Sequence, residues 1–153
     1  KVTEELRGDD SRIVIDRTLP FIDRSLKQGK PFLATIWFHT PHLPCVAGPE
    51  HAALYSDLPL EERNYYGCIT AMDEQIERLV NFLKRKGIYE NTVIFFCSDN
   101  GPELNTPGTA GIFKGKKRSL YEGGIRVPAF MVGGNYLDIS HNLAAHPIIC
   151  PPS

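Results

Sequence analysis

A carboxylate and an amide directly follow an apolar run in the segment FFCSDNGPE, residues 95–103. Asp99 and Asn100 stand side by side and precede Gly101. Hard cations such as Ca²⁺ and Mg²⁺ take oxygen ligands of this kind. The same Asp-Asn-Gly sequence is also typical of an Asx turn in which the glycine adopts the left-handed conformation. The pair by itself therefore leaves both a metal site and a simple turn open.

Two histidines, His39 and His42, flank a Thr-Pro pair just after the apolar run 31–38. The H-x-x-H spacing could indicate zinc, but no third nitrogen or sulfur ligand stands at a recognisable spacing. A histidine that follows a strand can also give a proton to a leaving group. Two solvated loop histidines are the alternative interpretation.

A long segment, residues 101–118, follows the Asp-Asn pair and ends in a cluster of basic side chains. We call this segment the basic loop. Four cations fall in five positions: Lys114, Lys116, Lys117 and Arg118. They predict either a solvated or localisation-like charged run or an anion-binding edge, in which a lysine compensates sulfate or phosphate charge. We expect Gly123-Gly124 to form a tight turn that folds this loop over the strand ends and brings the lysines toward Asp99.

The apolar pattern predicts alternating helices and strands. Apolar residues at spacings of three and four predict two helices, and Pro20 should kink or split the first. Short apolar runs predict three buried strands. The predicted helices cover residues 11–28 and about 61–86, and the predicted strands 31–38, 91–99 and 125–133. This order predicts an α/β fold with a mostly parallel or mixed sheet flanked by helices, and ligands at the strand ends.

Composition limits the class of protein. The 153 residues, 42% hydrophobic and with a formal net charge of -1, are typical of about one globular domain. The charge gives no global reason to expect a nucleic-acid partner. The apolar runs are too short to cross a bilayer, and the first residues predict no export signal. The cysteines, Cys45, Cys68, Cys97 and Cys150, form no C-x-x-C pair, which argues against a zinc knuckle.

Three segments together resemble the sulfatases of the alkaline-phosphatase-like superfamily. They are PFLATIWFHTPHLP, AMDEQIERLVNFLKRKGIYENTVIFFCSDNGPE and KGKKRSLYEGGIRVP, which stand in family order and at roughly family spacing. The resemblance covers about residues 12–132, whereas the tail 133–153 is atypical. It implies that residues 1–153 form a partial, incomplete sulfatase catalytic domain.

The resemblance implies roles at the matching positions. Asp99 and Asn100 fall on one pair of calcium ligands, with Mg²⁺ the less favoured ion. His42 falls on the histidine that contacts the sulfate and assists the leaving-group oxygen, whereas His39 matches no role. Lys117 falls on the lysine that binds the sulfate, and Lys116 and Lys114 are the alternatives if the loop register differs.

The reaction that the resemblance implies is hydrolysis of a sulfate ester by a hydrated formylglycine, made from a C/S-x-P-S/A-x-R motif upstream. This sequence contains no such motif ahead of His42. Its last residues, Cys150 to Ser153, spell C-x-P-S without the arginine and lie downstream of the metal pair. The chain by itself is therefore expected to be inactive, and the complete protein to act on a sulfated small molecule or glycan in a secreted, periplasmic or lysosomal setting.

Two other functions stay open from the sequence. A phosphodiesterase or phosphonate hydrolase of the same superfamily would use an Asp-Asn pair and a lysine equally well on a phosphoryl group. A non-catalytic module that binds a sulfated glycan or a protein would need neither the nucleophile nor the metal. The identity of the upstream nucleophile would distinguish the first alternative from a sulfatase. Measurements of calcium and glycan binding would distinguish the second.

Overall fold

The computed structural model describes residues 9–134, which divide into two compact units at Phe82–Leu83. The helices are α1 (Ser11–Lys27), α2 (Pro49–Ala53), α3 (Leu60–Arg85) and α4 (Glu122–Ile125), and the strands are β1 (Val93–Cys97) and β2 (Ala129–Gly133). The first unit holds α1, α2 and most of α3, whereas the second holds the end of α3, both strands and α4. No helix within 9–134 is long and apolar enough to span a membrane.

Helix α1 confirms the first predicted helix. Its spacing buries Ile15 and Ile22 on one side, together with Ile13. Pro20 lies inside the helix without dividing it, so the expected split is wrong. A proline removes one backbone donor, and burial of the apolar face on both sides of it keeps the helix continuous.

Helix α3 confirms the longest helix signal. Leu79 and Leu83 of the predicted face are buried, together with Cys68 and Ala71 on neighbouring positions. Acidic residues occupy its first turn and basic residues its last turn, as the helix dipole favours. Gly87 follows at a φ of 68°, the left-handed conformation that ends helices.

The segment 31–38 is not a strand, which corrects the sequence prediction. Its side chains alternate between exposed and half-buried, the period expected of a strand. Leu33 and Trp37 are nevertheless 88% and 84% exposed. A strand requires a neighbour that accepts its backbone hydrogen bonds, and within residues 9–134 the segment has no ladder partner. An apolar run alone therefore did not determine strand formation here.

The sheet within the described residues has two strands, and they are antiparallel. Val93 pairs with Gly133 and Cys97 with Ala129. Phe96 and Phe130 are cross-strand partners whose rings stack with centroids 4.9 Å apart. The helices and this small sheet are compatible with part of an α/β domain, but the expected mostly parallel arrangement is not confirmed.

Candidate functional site

The backbone after β1 is held by hydrogen bonds to the segment that leads into β2. The Ser98 amide donates to the Pro128 carbonyl at 3.2 Å, and the Gly101 amide donates to the Gly124 carbonyl at 2.8 Å. The Ser98 hydroxyl also donates to the Asn100 carbonyl at 3.0 Å. Asp99 and Asn100 therefore lie in a bend that is fixed at both ends.

Gly101 is needed for close approach rather than for a left-handed turn. Its φ is not among the positive values of the chain, so the turn expected from Asp-Asn-Gly is not formed. A Cβ at this position would overlap the carbonyl oxygen of Gly123. The absence of a side chain thus permits the bend after Asn100 to contact α4.

The oxygen-bearing side chains at this bend suit a hard cation. Asp99 is exposed, and Asn100 is half-buried. The Asn100 Nδ2 donates to the Gly101 carbonyl at 2.8 Å, which leaves the amide oxygen Oδ1 as the end able to bind a cation. Ca²⁺ takes six to eight oxygen ligands. Two ligands fit the ion chemically but form only part of its coordination sphere.

No larger metal cluster accompanies this pair in the part of the chain that the structure describes. Among residues 9–134, no group of three or more His, Cys, Asp or Glu side chains could hold an ion. The H-x-x-H pair belongs to no such group. The calcium assignment consequently stays a prediction.

The end of the basic loop contacts the segment just after Asn100 and Gly101 through its backbone. The Lys117 amide donates to the Pro102 carbonyl at 3.0 Å, and the Gly123 amide donates to the Lys114 carbonyl at 2.8 Å. Gly123 and Gly124 lie within α4 instead of forming a simple tight turn. A Cβ on either would overlap a carbonyl oxygen of the loop, so both glycines allow the loop to pack against the helix.

The four cations of the loop have different surroundings. Lys114 Nζ lies 4.1 Å from the centroid of the Tyr121 ring, a cation–π contact. Arg118 Nη1 lies 2.7 Å from Glu103 Oε1. Lys116 and Lys117 are both half-buried, and within residues 9–134 neither makes a cation–π contact or an ion pair. Of the three candidate lysines, Lys114 is thus the one already engaged by a ring.

Glu103 is the acidic member of this loop. The Leu104 amide and the Arg118 guanidinium hold the pKa of its carboxyl below the ordinary value of 4.5. Since the carboxylate remains charged, it neutralises Arg118. The net positive charge of the run is thereby carried by its lysines.

His42 lies in the first unit, whereas the other three predicted site residues lie in the second. The His42 amide donates to the His39 carbonyl at 2.8 Å, which closes a turn around Thr40-Pro41. Its ring Nδ1 lies 2.7 Å from the Leu43 carbonyl oxygen. Because a carbonyl can only accept, Nδ1 carries a proton, and Nε2 is the nitrogen left to exchange one. The His39 ring centroid is 5.0 Å away.

A cavity of about 340 Å³ adjoins this turn within the first unit. Its lining includes both histidines, Cys45, Cys68 and Asp9. The Thr40 hydroxyl donates to Asp9 Oδ2 at 2.9 Å, and the Ser11 hydroxyl donates to the same oxygen. Asp9 therefore anchors the histidine turn to the start of α1. No sequence pattern links these residues, because Asp9 and Thr40 are 31 positions apart.

A family model described as Sulfatase matches residues 2–137. The chain belongs to the sulfatase family. It is similar to the uncharacterized sulfatase YdeN of Escherichia coli K12, with 31% identity over 128 residues, 82% of this chain and 23% of that protein. It is also similar to the ulvan-active sulfatase of Formosa agariphila, with 27% identity over 132 residues, 75% of this chain and 25% of that protein.

Solved sulfatase structures share the fold of this chain. The crystal structure of Ps i-CgsB in complex with k-i-k-neocarrahexaose is similar, with a TM-score of 0.77 and 29% identity over 82% of this chain and 28% of that one. The PsFucS1 sulfatase from Pseudoalteromonas sp. is similar with a TM-score of 0.65 and 28% identity, over 80% of this chain and 24% of that one. The sulfatase chain spans about a quarter of the length of these relatives.

Proposed function

We propose that this chain is the part of a sulfatase catalytic domain that supplies one pair of calcium ligands and the sulfate-binding side chains. The observation that carries the proposal is the contact between Gly101 and Gly124. It fixes the backbone after Asp99 and Asn100 against α4, which follows the basic loop, in a chain that the sulfatase model matches over residues 2–137. In this proposal, Asp99 and Asn100 bind Ca²⁺ through oxygen.

Lys117 and His42 have different roles in the proposed reaction. The Lys117 ammonium offsets negative charge on the sulfuryl oxygens. The imidazolium form of His42, with a proton on each ring nitrogen, gives the Nε2 proton to the ester oxygen as it leaves and returns to the neutral ring protonated at Nδ1. Protonation of that oxygen makes the alcohol a better leaving group than an alkoxide.

The nucleophile in the proposed reaction comes from outside these 153 residues. A formylglycine supplies a hydrated aldehyde that can be sulfated and then regenerated by elimination. The residues of this chain provide the surroundings for that chemistry: an anion site at Lys117, a cation site at Asp99 and a proton at His42. We therefore propose that the chain by itself does not turn over a sulfate ester.

The proposed substrate is a sulfated glycan. The support comes from relatives, because one is described as active on ulvan and another was crystallised with a neocarrahexaose. The half-buried Lys117 and the exposed His42 suit an anionic sulfate that is reached from solvent. The identity of the sugar is not part of the proposal.

The proposal is tested by calorimetric titration of the chain with Ca²⁺, for the parent protein and the variant Asp99→Asn. We expect a weak affinity, about millimolar, because two ligands form part of a calcium sphere. Asp99→Asn should weaken it further, since it removes the only carboxylate of the pair. Asp73→Asn, at an exposed position of α3, is the matched control and should bind as the parent does.

Hydrolysis of an aryl sulfate by the same samples separates the two parts of the proposal. No turnover is expected from the parent chain. Turnover at an ordinary enzymatic rate would contradict a nucleophile outside the chain. Unchanged calcium affinity in Asp99→Asn would contradict the proposed ligand.

A further inference from the structure

Cys45 and Cys68 line the same cavity in the first unit. Cys68 lies in α3 and is only 2% exposed, whereas Cys45 lies in the segment after the histidine turn and is partly exposed. The proposed sulfatase reaction uses neither thiol. Their positions differ in access, because a reagent in the cavity reaches Cys45 more readily than Cys68.

The backbone that carries Cys45 packs directly on α3. A Cβ on Gly67 would meet the Ala47 Cβ at 2.7 Å, so the helix and this segment approach as closely as a glycine allows. Cys68 directly follows Gly67 in α3, and Cys45 lies two residues before Ala47. The two cysteines therefore flank this close approach between the helix and the segment.

The Cys45 side chain contacts the backbone of the histidine turn that precedes it. Its Sγ donates to the Pro41 carbonyl at 3.3 Å, and the His42 carbonyl lies 3.7 Å away. A thiol is a weak hydrogen-bond donor, so rotation of the Cys45 side chain away from these two carbonyls costs little free energy. Rotation of the Cys45 side chain is therefore the movement that would turn its sulfur toward Cys68.

We propose that Cys45 and Cys68 form a disulfide that ties the segment after the histidine turn to α3. The co-reactant is a small disulfide oxidant. The Cys45 thiolate attacks one sulfur of the oxidant, which forms a mixed disulfide and releases one thiolate. The Cys68 thiolate then attacks the Cys45 sulfur, which closes the protein disulfide and releases the second. The protein loses two protons and two electrons, and the oxidant becomes two thiols.

The disulfide forms slowly at neutral pH and faster at alkaline pH. Burial raises the pKa of Cys68 to about 11, with smaller effects from Cys45 and Asp9 that the Val46 amide opposes. Burial also raises the pKa of Cys45. Among the described residues, the other titratable side chains that line the cavity or interact with Cys45 are Asp9, Asp10, His39, His42 and Tyr65. Since thiolates react, the rate rises about tenfold for each pH unit below the pKa of the attacking thiol.

The disulfide restrains the turn that carries His42. Residues 39–46 are already joined at one end to Asp9 through Thr40. A covalent link at Cys45 holds the other end to α3. The proposal concerns this restraint and stands whether or not the chain belongs to an active sulfatase.

The experiment uses the complete 153-residue chain, incubated with oxidised glutathione, alkylated and digested with trypsin without reduction. Trypsin places Cys45 on the peptide 28–63, Cys68 on 64–78 and Cys97 on 87–114. Mass spectrometry should find 28–63 linked to 64–78, and linkage should proceed faster at pH 9 than at pH 7. Cys45→Ser and Cys68→Ser should each lose this linked pair.

Two further measurements keep the test decisive. Circular dichroism checks that each variant is folded, and Cys45→Ser serves alone if the buried Cys68→Ser does not fold. In Cys45→Ser, Cys68 should stay unmodified by glutathione because it is buried. Glutathione retained on Cys45 without closure to Cys68 would overturn the proposal, and so would equal linkage of Cys45 to Cys97.

Discussion

The Gly101 amide donates a hydrogen bond to the Gly124 carbonyl at 2.8 Å, and a side chain on Gly101 would overlap the carbonyl of the adjoining Gly123. This contact connects the bend after Asp99 and Asn100 to α4 and the basic loop. Both partners are backbone groups in a tightly packed place, so neither can move aside independently. The relationship makes Gly101 a sensitive position although it lies in a bend outside the helices and strands.

Gly101→Ala should destabilise the second unit by about 3 kcal/mol, at the upper end of the usual cost of overpacking, because a carbonyl must shift. Urea unfolding followed by circular dichroism measures the loss. Gly29→Ala is the control, since its Cβ meets nothing within 4 Å and costs only left-handed strain, about 1 kcal/mol. Equal unfolding midpoints for the two variants would show that the contact at Gly101 relaxes freely.

Lys117→Ala should lower the affinity of the chain for a sulfated oligosaccharide about tenfold, as expected when a charged hydrogen-bond donor is lost. Lys114→Ala is the matched control from the same loop. Lys114 contacts the Tyr121 ring, so its removal should reduce stability slightly and leave affinity nearly unchanged.

Calorimetric titration at two salt concentrations checks the lysine prediction. Binding by the parent should weaken as salt rises, and Lys117→Ala should show a smaller dependence. A tenfold loss in Lys114→Ala with none in Lys117→Ala would transfer the anion-binding role to Lys114.

Thr40→Val should destabilise the first unit, because it keeps the shape of the side chain and removes the 2.9 Å hydrogen bond to Asp9. A hydrogen bond to a charged group contributes about 1.5–3 kcal/mol, and partial exposure places this one at the lower end. Thermal unfolding measures the loss, and hydrogen exchange should show faster exchange in residues 39–46.

Thr35→Val is the control for Thr40→Val. Thr35 is exposed in the neighbouring segment 31–38, and its substitution should leave both measurements unchanged. Faster exchange confined to α1 in Thr40→Val would contradict the role of Asp9 as an anchor for the histidine turn.

Glu103→Gln should reduce the acid dependence of stability of the second unit. The pKa of Glu103 is lowered in the folded chain, so its contribution is present above the unfolded value of 4.5 and is lost as pH falls through the folded pKa. The effect should be small because Arg118 is largely exposed and its ion pair is screened by solvent.

The urea midpoint as a function of pH measures the Glu103 prediction. The parent should lose more stability than Glu103→Gln on acidification below 4.5. Glu122→Gln, which removes another ion pair with an arginine, is the comparison. Parallel curves for parent and Glu103→Gln would exclude a contribution from this carboxyl.

Local sequence predicted the elements whose stability is largely local. Apolar spacing at three and four identified α1 and α3, and the charged and glycine residues at the end of α3 predicted where it stops. The short apolar run before Asp99 predicted β1. The order of three motifs predicted the sulfatase family, which the match over 2–137 confirms. The predictions for the tail beyond residue 134, including Cys150 to Ser153, lie outside the described residues.

Tertiary structure determined what depends on partners distant in sequence. The run 31–38 has the composition of a strand but no ladder partner in the described residues, and β1 pairs antiparallel with β2. The sequence suggested that Gly101 is a glycine of a left-handed turn. In the structure, a side chain at this position would overlap the carbonyl oxygen of Gly123. The anchoring of Thr40 by Asp9 and the position of Cys45 and Cys68 on one cavity likewise required the folded chain. Helices satisfy their backbone hydrogen bonds locally, whereas strand pairing and close backbone contacts need a neighbour that no local pattern specifies.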